Sequence, residues 1–181
     1  MPVARRTLLA AAGAAAVPLR LSAQAAPPSA AEVAAREKAA PPLPAVGTAL
    51  AVPAVDLLDG TRFEPEQVRG RVLVLYWWAS WCPFCALVTP HVAKLWHAQR
   101  SRGLAMLTLS IDRKADDARA YLRKHGYDFP TALVTPEFHK ALPKPKGLPI
   151  TIVLGRDGKV VQAESGQLFP EDVEALARHL G

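Results

Sequence analysis

Five residues, Trp81-Cys82-Pro83-Phe84-Cys85, constrain this chain more than any others. The apolar run Val72-Leu73-Val74-Leu75-Tyr76-Trp77-Trp78 leads into them, and Ala86-Leu87-Val88 with a long helical pattern leads away. Such a sequence predicts a buried strand that delivers two cysteines to the start of a helix. Cys82 falls at the N-cap, where free backbone N–H groups and the positive end of the helix dipole meet its sulfur. Pro83 suits the first helical position, because the N–H it lacks would be unpaired there anyway. Cys85 follows one turn later on the same face, within disulfide reach. A helix end contributes about 0.3–1 kcal/mol to a nearby negative charge, and about 2 when partly buried. A reactive thiolate therefore needs hydrogen bonds as well, with the N–H groups of Phe84 and Cys85 and the Cys85 thiol as the local donors. Cys82 is expected to be the exposed nucleophile and Cys85 its buried partner.

Other uses of the pair are weaker. A structural zinc site needs four ligands, the chain has only two cysteines, and His91, His97, His125, His139 and His179 show no paired metal-ligand spacing. A purely structural disulfide closing so short a loop would restrain the unfolded chain little. Redox exchange between Cys82 and Cys85 is the stronger reading, with no metal and no bound cofactor. A chaperone that holds Cu(I) on the same two soft sulfurs is the alternative from another class, and it would gain from a third ligand.

Residues 1–25 read as an export signal. Arg5-Arg6, then Thr7-Leu8-Leu9 and an Ala/Leu-rich stretch to Leu19, precede the small-x-small pattern Ala23-Gln24-Ala25. The apolar stretch is about 13 residues, short of the roughly 20 that span a bilayer, so a cleaved signal is preferred to a membrane anchor. Arg5-Arg6 next to Thr7 is twin-arginine-like, an address rather than an anchor. The expected location is the periplasm, kept oxidising. The signal carries Arg5, Arg6 and Arg20 and no acids, so the whole chain's net charge of +6 falls to +3 without it. With no long Lys/Arg run interleaved with aromatics, nucleic acid is not an expected partner.

Residues 26–46 are Ala/Pro-rich and read as a linker. Residues 47–181 are long enough for one domain with its own core. Within it, Val52 to Leu58 and Thr61 to Phe63 read as strands about an Asp59-Gly60 turn, and Glu64 to Val68 as a helical turn stopped by Gly70. A helix from Pro83 to about Ser101 carries Pro90 inside it. Leu104 to Ile111 is a second buried strand, Ala115 to His125 a helix stopped by Gly126, and Phe129 to Val134 a short extended piece. Pro136 to Leu142 is a further helical turn. Pro149 to Leu154 and Val160 to Glu164 form a hairpin about Asp157-Gly158, and Pro170 to Leu180 a closing amphipathic helix. This order predicts an α/β fold: a central mixed sheet flanked by helices, with an N-terminal β-hairpin extension.

On these residues the chain resembles the TlpA/ResA-like thiol-disulfide oxidoreductases of the thioredoxin superfamily. The resemblance rests on Leu57-Leu58-Asp59-Gly60, Val68-Arg69-Gly70-Arg71, Trp78-Ala79-Ser80-Trp81-Cys82-Pro83-Phe84-Cys85, Pro90, and Gly147-Leu148-Pro149-Ile150-Thr151. It implies a thioredoxin fold in which Cys82 attacks a substrate disulfide and Cys85 resolves the mixed disulfide. It also implies a cis Pro149 opposite the pair, leaving the Leu148 backbone edge to pair with an extended client segment. Trp81 would line the same surface. Two departures stand out. Thioredoxins place a buried acid where this chain has Tyr76, and ResA-like reductases place a Glu where it has Val88. Asp112 and Glu164 are the nearest carboxylates by fold position, each expected first as a solvated acid at a strand end.

Trp77 and Trp78 alternate faces, so one is expected in the core. Phe84 is either an apolar contact or packing, His91 and His97 are expected at the surface, and Lys144 and Lys146 read as a solvated loop or as a contact for an acidic partner. The expected function is an exported oxidoreductase, acting as a reductant and as a monomer on cysteine-containing envelope proteins, among them clients awaiting haem or copper in cytochrome biogenesis. A membrane electron donor would re-reduce it. Work as an oxidant or isomerase is the alternative within redox chemistry.

Overall fold

In the computed structural model, residues 31, 35 and 38–181 are described. The export signal expected over residues 1–25, and most of the linker up to residue 37, lie outside the described residues.

Two seven-residue strands, β3 (Val72–Trp78) and β4 (Leu104–Ser110), run parallel at the centre with every residue buried. Both are near-continuous apolar runs, as a strand covered on two faces requires. Alternation then assigns their side chains to two separate cores. Val72, Val74, Tyr76 and Trp78 enter the first, with Leu104 and Met106. Leu73, Leu75 and Trp77 enter the second, with Leu107 and Leu109. The short β5 (Thr131–Leu133) pairs parallel with β4, while β6 (Ile150–Leu154) runs antiparallel to β3 and β7 (Val160–Ser165) antiparallel to β6. The order is β5-β4-β3-β6-β7, a mixed five-stranded sheet. A separate hairpin of β1 (Val55–Asp56) and β2 (Arg62–Phe63) adds Val55 and Phe63 to the second core.

Helix α1 (Pro83–Gln99) places Val88, Val92, Ala93 and Leu95 in the first core. Helix α2 (Ala115–His125) adds Ala118 to the same side. It stops where expected: Gly126 takes φ 69°, and the N–H of Tyr127 reaches back to the Leu122 carbonyl at 3.0 Å. Helix α3 (Pro136–Ala141) sends Phe138 into the second core, and α4 (Pro170–Ala175) sends Val173 into the first.

Three elements differ from the sequence reading. The strand expected over Val52 to Leu58 reduces to two residues, because Pro53 offers no N–H to a ladder. The closing helix is α-helical only to Ala175 and tightens to a 3-10 turn over Leu176–Leu180, a frequent ending. Trp77 and Trp78 do alternate faces, but both are fully buried because the sheet is covered on both sides. Residues ahead of the hairpin also rest on the domain: Leu43 and Leu50 pack against the second core, and the Lys146 N–H donates to the Pro41 carbonyl at 3.1 Å.

The two cores make a test of independence possible. Leu107→Ala should cost about 2–5 kcal/mol of stability through a cavity in the second core, read by urea unfolding. The alkylation rate of the reduced cysteines, which belong to the first core, should stay within about twofold of wild type.

Candidate functional site

The strand β3 ends at Trp78, and four residues later Cys82 caps α1 with extended backbone, φ −85° and ψ 115°. A turn closes the gap, the Cys82 N–H donating to the Ala79 carbonyl at 3.2 Å. The Cys85 N–H donates to the Cys82 Sγ at 3.3 Å, so one of the donors expected from sequence is in place. The two thiols are unbridged. Cys85 is wholly buried, as expected. Cys82 is a correction: it is only 5% exposed, not an open thiol, because its turn folds it into the first core. Trp81 and Phe84, on either side of it in the chain, are 64% and 55% exposed.

The two sulfurs sit in unlike surroundings. Burial, and then the hydrogen bond with Cys82, push the Cys85 thiol far above its ordinary range; the buried Asp112 carboxylate adds to this, while the main chain at Ala79 pulls the other way. Tyr76, where an acid stands in thioredoxins, is also pushed well up by burial and by its proximity to Cys85. Its hydroxyl lies 3.0 Å from Thr89 Oγ1, and Thr89 Oγ1 itself donates to the Cys85 carbonyl at 2.7 Å. Thr89 has one hydroxyl proton, so Tyr76 must be the donor of that pair. It supports the first turn of α1 as a neutral group.

Asp112 overturns the expectation of a solvated acid. It is 4% exposed. Its carboxylate accepts from Ser80 Oγ and Ser110 Oγ, both at 2.7 Å, and from the Ser80 N–H at 3.1 Å. These charge-assisted bonds offset its desolvation and fix the residue two places before Cys82. The strand pairing that sets Ser110 beside Trp78 creates this contact, which no local sequence pattern reveals. Glu164 is half-buried on β7 opposite Thr151. His97 is at the surface, 3.1 Å from Asp128.

The Leu148–Pro149 peptide is cis, the isomer the resemblance implied. Pro149 is buried, and its carbonyl accepts from the Gly166 N–H at 2.8 Å. Leu148 is half-buried, and among the described residues nothing hydrogen-bonds to its main chain. Among the described residues no group of three or more His, Cys, Asp or Glu could hold a metal ion.

The Redoxin family model matches residues 43–180. The thiol-disulfide oxidoreductase ResA of Bacillus thuringiensis (strain Al Hakam) is 23% identical over 123 residues, 68% of this chain and 71% of that one. A thiol:disulfide interchange protein of the thioredoxin family from Chlorobium tepidum TLS is similar in structure with TM-score 0.69 and 22% identity, covering 76% of this chain and 99% of that one. A secreted Mycobacterium tuberculosis disulfide oxidoreductase superposes with TM-score 0.60 at 16% identity, covering 71% and 94%. These two likenesses establish the thioredoxin-like fold.

The raised Cys85 thiol predicts a pH dependence with a definite sign. The folded chain holds that proton more tightly than the unfolded one, so the contribution to stability is complete below the thiol's ordinary value of 9.0 and is lost as pH rises beyond it. Urea midpoints of the reduced protein should therefore fall more steeply between about pH 9 and 10.5 than those of Cys85→Ser. Equal slopes would contradict the burial of this thiol.

Proposed function

We propose, from the premise that this chain belongs to the Redoxin family and is a thiol-disulfide oxidoreductase, that it is an exported reductant of disulfides in other envelope proteins. The observation that carries the reading is Cys82 at the N-cap of α1 with the Cys85 N–H on its sulfur. In the forward direction the Cys82 thiolate attacks one sulfur of a client disulfide. A Cys82–client disulfide forms and the other client sulfur leaves as a thiolate, which takes a proton. Cys85 then loses its proton and attacks the Cys82 sulfur. The Cys82–Cys85 disulfide forms, the client leaves fully reduced, and two electrons have passed to it. A membrane electron donor would return the pair to the dithiol.

Three features support the finer parts of this reading. The basic, apolar and small-x-small regions of residues 1–25 favour export, and a relative of the same fold is a secreted disulfide oxidoreductase. Direction follows from the reduced form: a strong oxidant arises when its thiolate is heavily stabilised. Here the Cys82 sulfur receives one backbone N–H at 3.3 Å, and a charge on Cys85 is opposed by burial. That balance favours a reductant. The uncommitted main chain of Leu148, beside a buried Pro149, suits an extended client segment that pairs through its backbone. Exposed Trp81 and Phe84 would cover the client's apolar side chains.

The reduction potential of the protein against glutathione tests the direction. A value below about −250 mV supports a reductant, and one above about −180 mV makes it an oxidant or isomerase. The roles of the two sulfurs are tested separately. Cys82→Ser should abolish exchange with any disulfide, whereas Cys85→Ser should accumulate a stable mixed disulfide, visible by non-reducing mass spectrometry. The reverse pattern would exchange the roles of the two cysteines.

A further inference from the structure

The loop between α3 and β6 carries a buried ammonium group. Lys144 is 8% exposed. Lysine is almost never buried unless its charge is satisfied. Here Nζ donates to the Pro145 carbonyl at 2.7 Å and to the Gly147 carbonyl at 2.8 Å. A flexible stem thus curls back to tie the two carbonyls that flank Lys146. Lys146 is itself held from both sides: its N–H donates to the Pro41 carbonyl at 3.1 Å, and its carbonyl accepts from Ser165 Oγ at 3.0 Å. Gly147 takes φ 92°, and a Cβ there would meet Ser165 Oγ at 2.6 Å, so the loop closes tightly on β7. On the far side the Pro149 carbonyl is fixed by Gly166. Every residue from 144 to 149 except Leu148 is tied by its main chain or its side chain.

We propose that Lys144 is a positioning residue for client recognition: its buried ammonium clamps the loop of residues 145–147 so that the unpaired backbone of Leu148 is held rigid for an extended peptide. This rests on the peptide edge proposed above. The clamp touches neither sulfur, so it should act on substrates that have a main chain to dock and not on small disulfides. Ordering the loop before the client arrives removes part of the entropy cost of binding.

The test compares two mixed disulfides of thionitrobenzoate with the reduced full-length protein, one with a central cysteine of an extended octapeptide and one with cysteamine. Attack by Cys82 releases the same coloured thiolate from each, and the peptide offers a main chain that cysteamine lacks. Wild type should prefer the peptide. Lys144→Met should raise KM for the peptide at least fivefold with kcat within twofold, and leave the cysteamine rate within twofold. Lys144→Arg, which keeps charge and donors, should restore most of the loss. Ser165→Ala removes only the bond to the Lys146 carbonyl and should shift the peptide KM in the same direction by a smaller factor. It tests the clamp without vacating a buried charge, should Lys144→Met fail to fold. An unchanged peptide KM in Lys144→Met, or in Ser165→Ala where Lys144→Met does not fold, overturns the proposal, as does an equal fall for both probes. A wild type that favours neither probe removes the Leu148 edge and with it the role of Lys144. A wild type that reacts with neither overturns instead the exchange activity itself.

Discussion

Everything at this site hangs on where a backbone N–H points. The Cys85 amide, one of the donors left unpaired at the start of a helix, is aimed at the Cys82 sulfur. That geometry exists only because a strand buried on both faces ends four residues before the residue that caps the helix. Ladders to β4 on one side and β6 on the other hold β3 in register. The turn from Trp78 to Cys82 therefore has little freedom, and the Cys82 N–H bond to Ala79 uses what remains. The helix dipole alone supplies too little to set a sulfur's charge. The fixed sheet converts a weak effect into a directed contact.

The same packing makes the two sulfurs unequal. Cys85 lies one turn inside the helix with no exposure, and burial opposes its charge. Cys82 keeps 5% exposure, and its sequence neighbours Trp81 and Phe84 are exposed. The two sulfurs differ in exposure and surroundings without any difference in the residues' own chemistry. Resolution of a mixed disulfide must then draw a proton from the less willing thiol, and that step depends on groups around Cys85 more than on Cys82.

Much of this was legible in the sequence because it is governed by local rules. Continuous apolar runs marked β3 and β4, Pro83 and Gly126 marked the helix ends, and two cysteines one turn apart marked the pair. The cis peptide at Leu148–Pro149 was expected from the resemblance, not from any pattern. What stayed hidden depends on how the folded chain packs, not on a local sequence pattern. Asp112 reads as an ordinary acid after a strand, and only the pairing of Trp78 with Ser110 buries it against Ser80. Lys144 reads as a solvated residue among prolines, and only the fold of its loop turns its ammonium onto two carbonyls. Cys82 was expected to be open because chemistry requires access, but its turn also packs into a core. Charge and polarity predict exposure on average, and they fail where a buried polar group finds its partners within the fold.

The absence of an acid at Tyr76 and Val88 gains a physical sense from the same comparison. A carboxylate in place of Tyr76 would stand in the first core beside Cys85 and would need donors there. The neutral phenol instead gives its proton to Thr89, which in turn secures the Cys85 carbonyl. The buried carboxylate of this chain lies instead just after β4, at Asp112, where two serine hydroxyls and a backbone N–H satisfy it. From that position its field still reaches Cys85, raising the cost of a thiolate there, while its bonds hold the turn that presents Cys82. Support of the turn before Cys82 and an electrostatic influence on the buried sulfur thus fall to one residue.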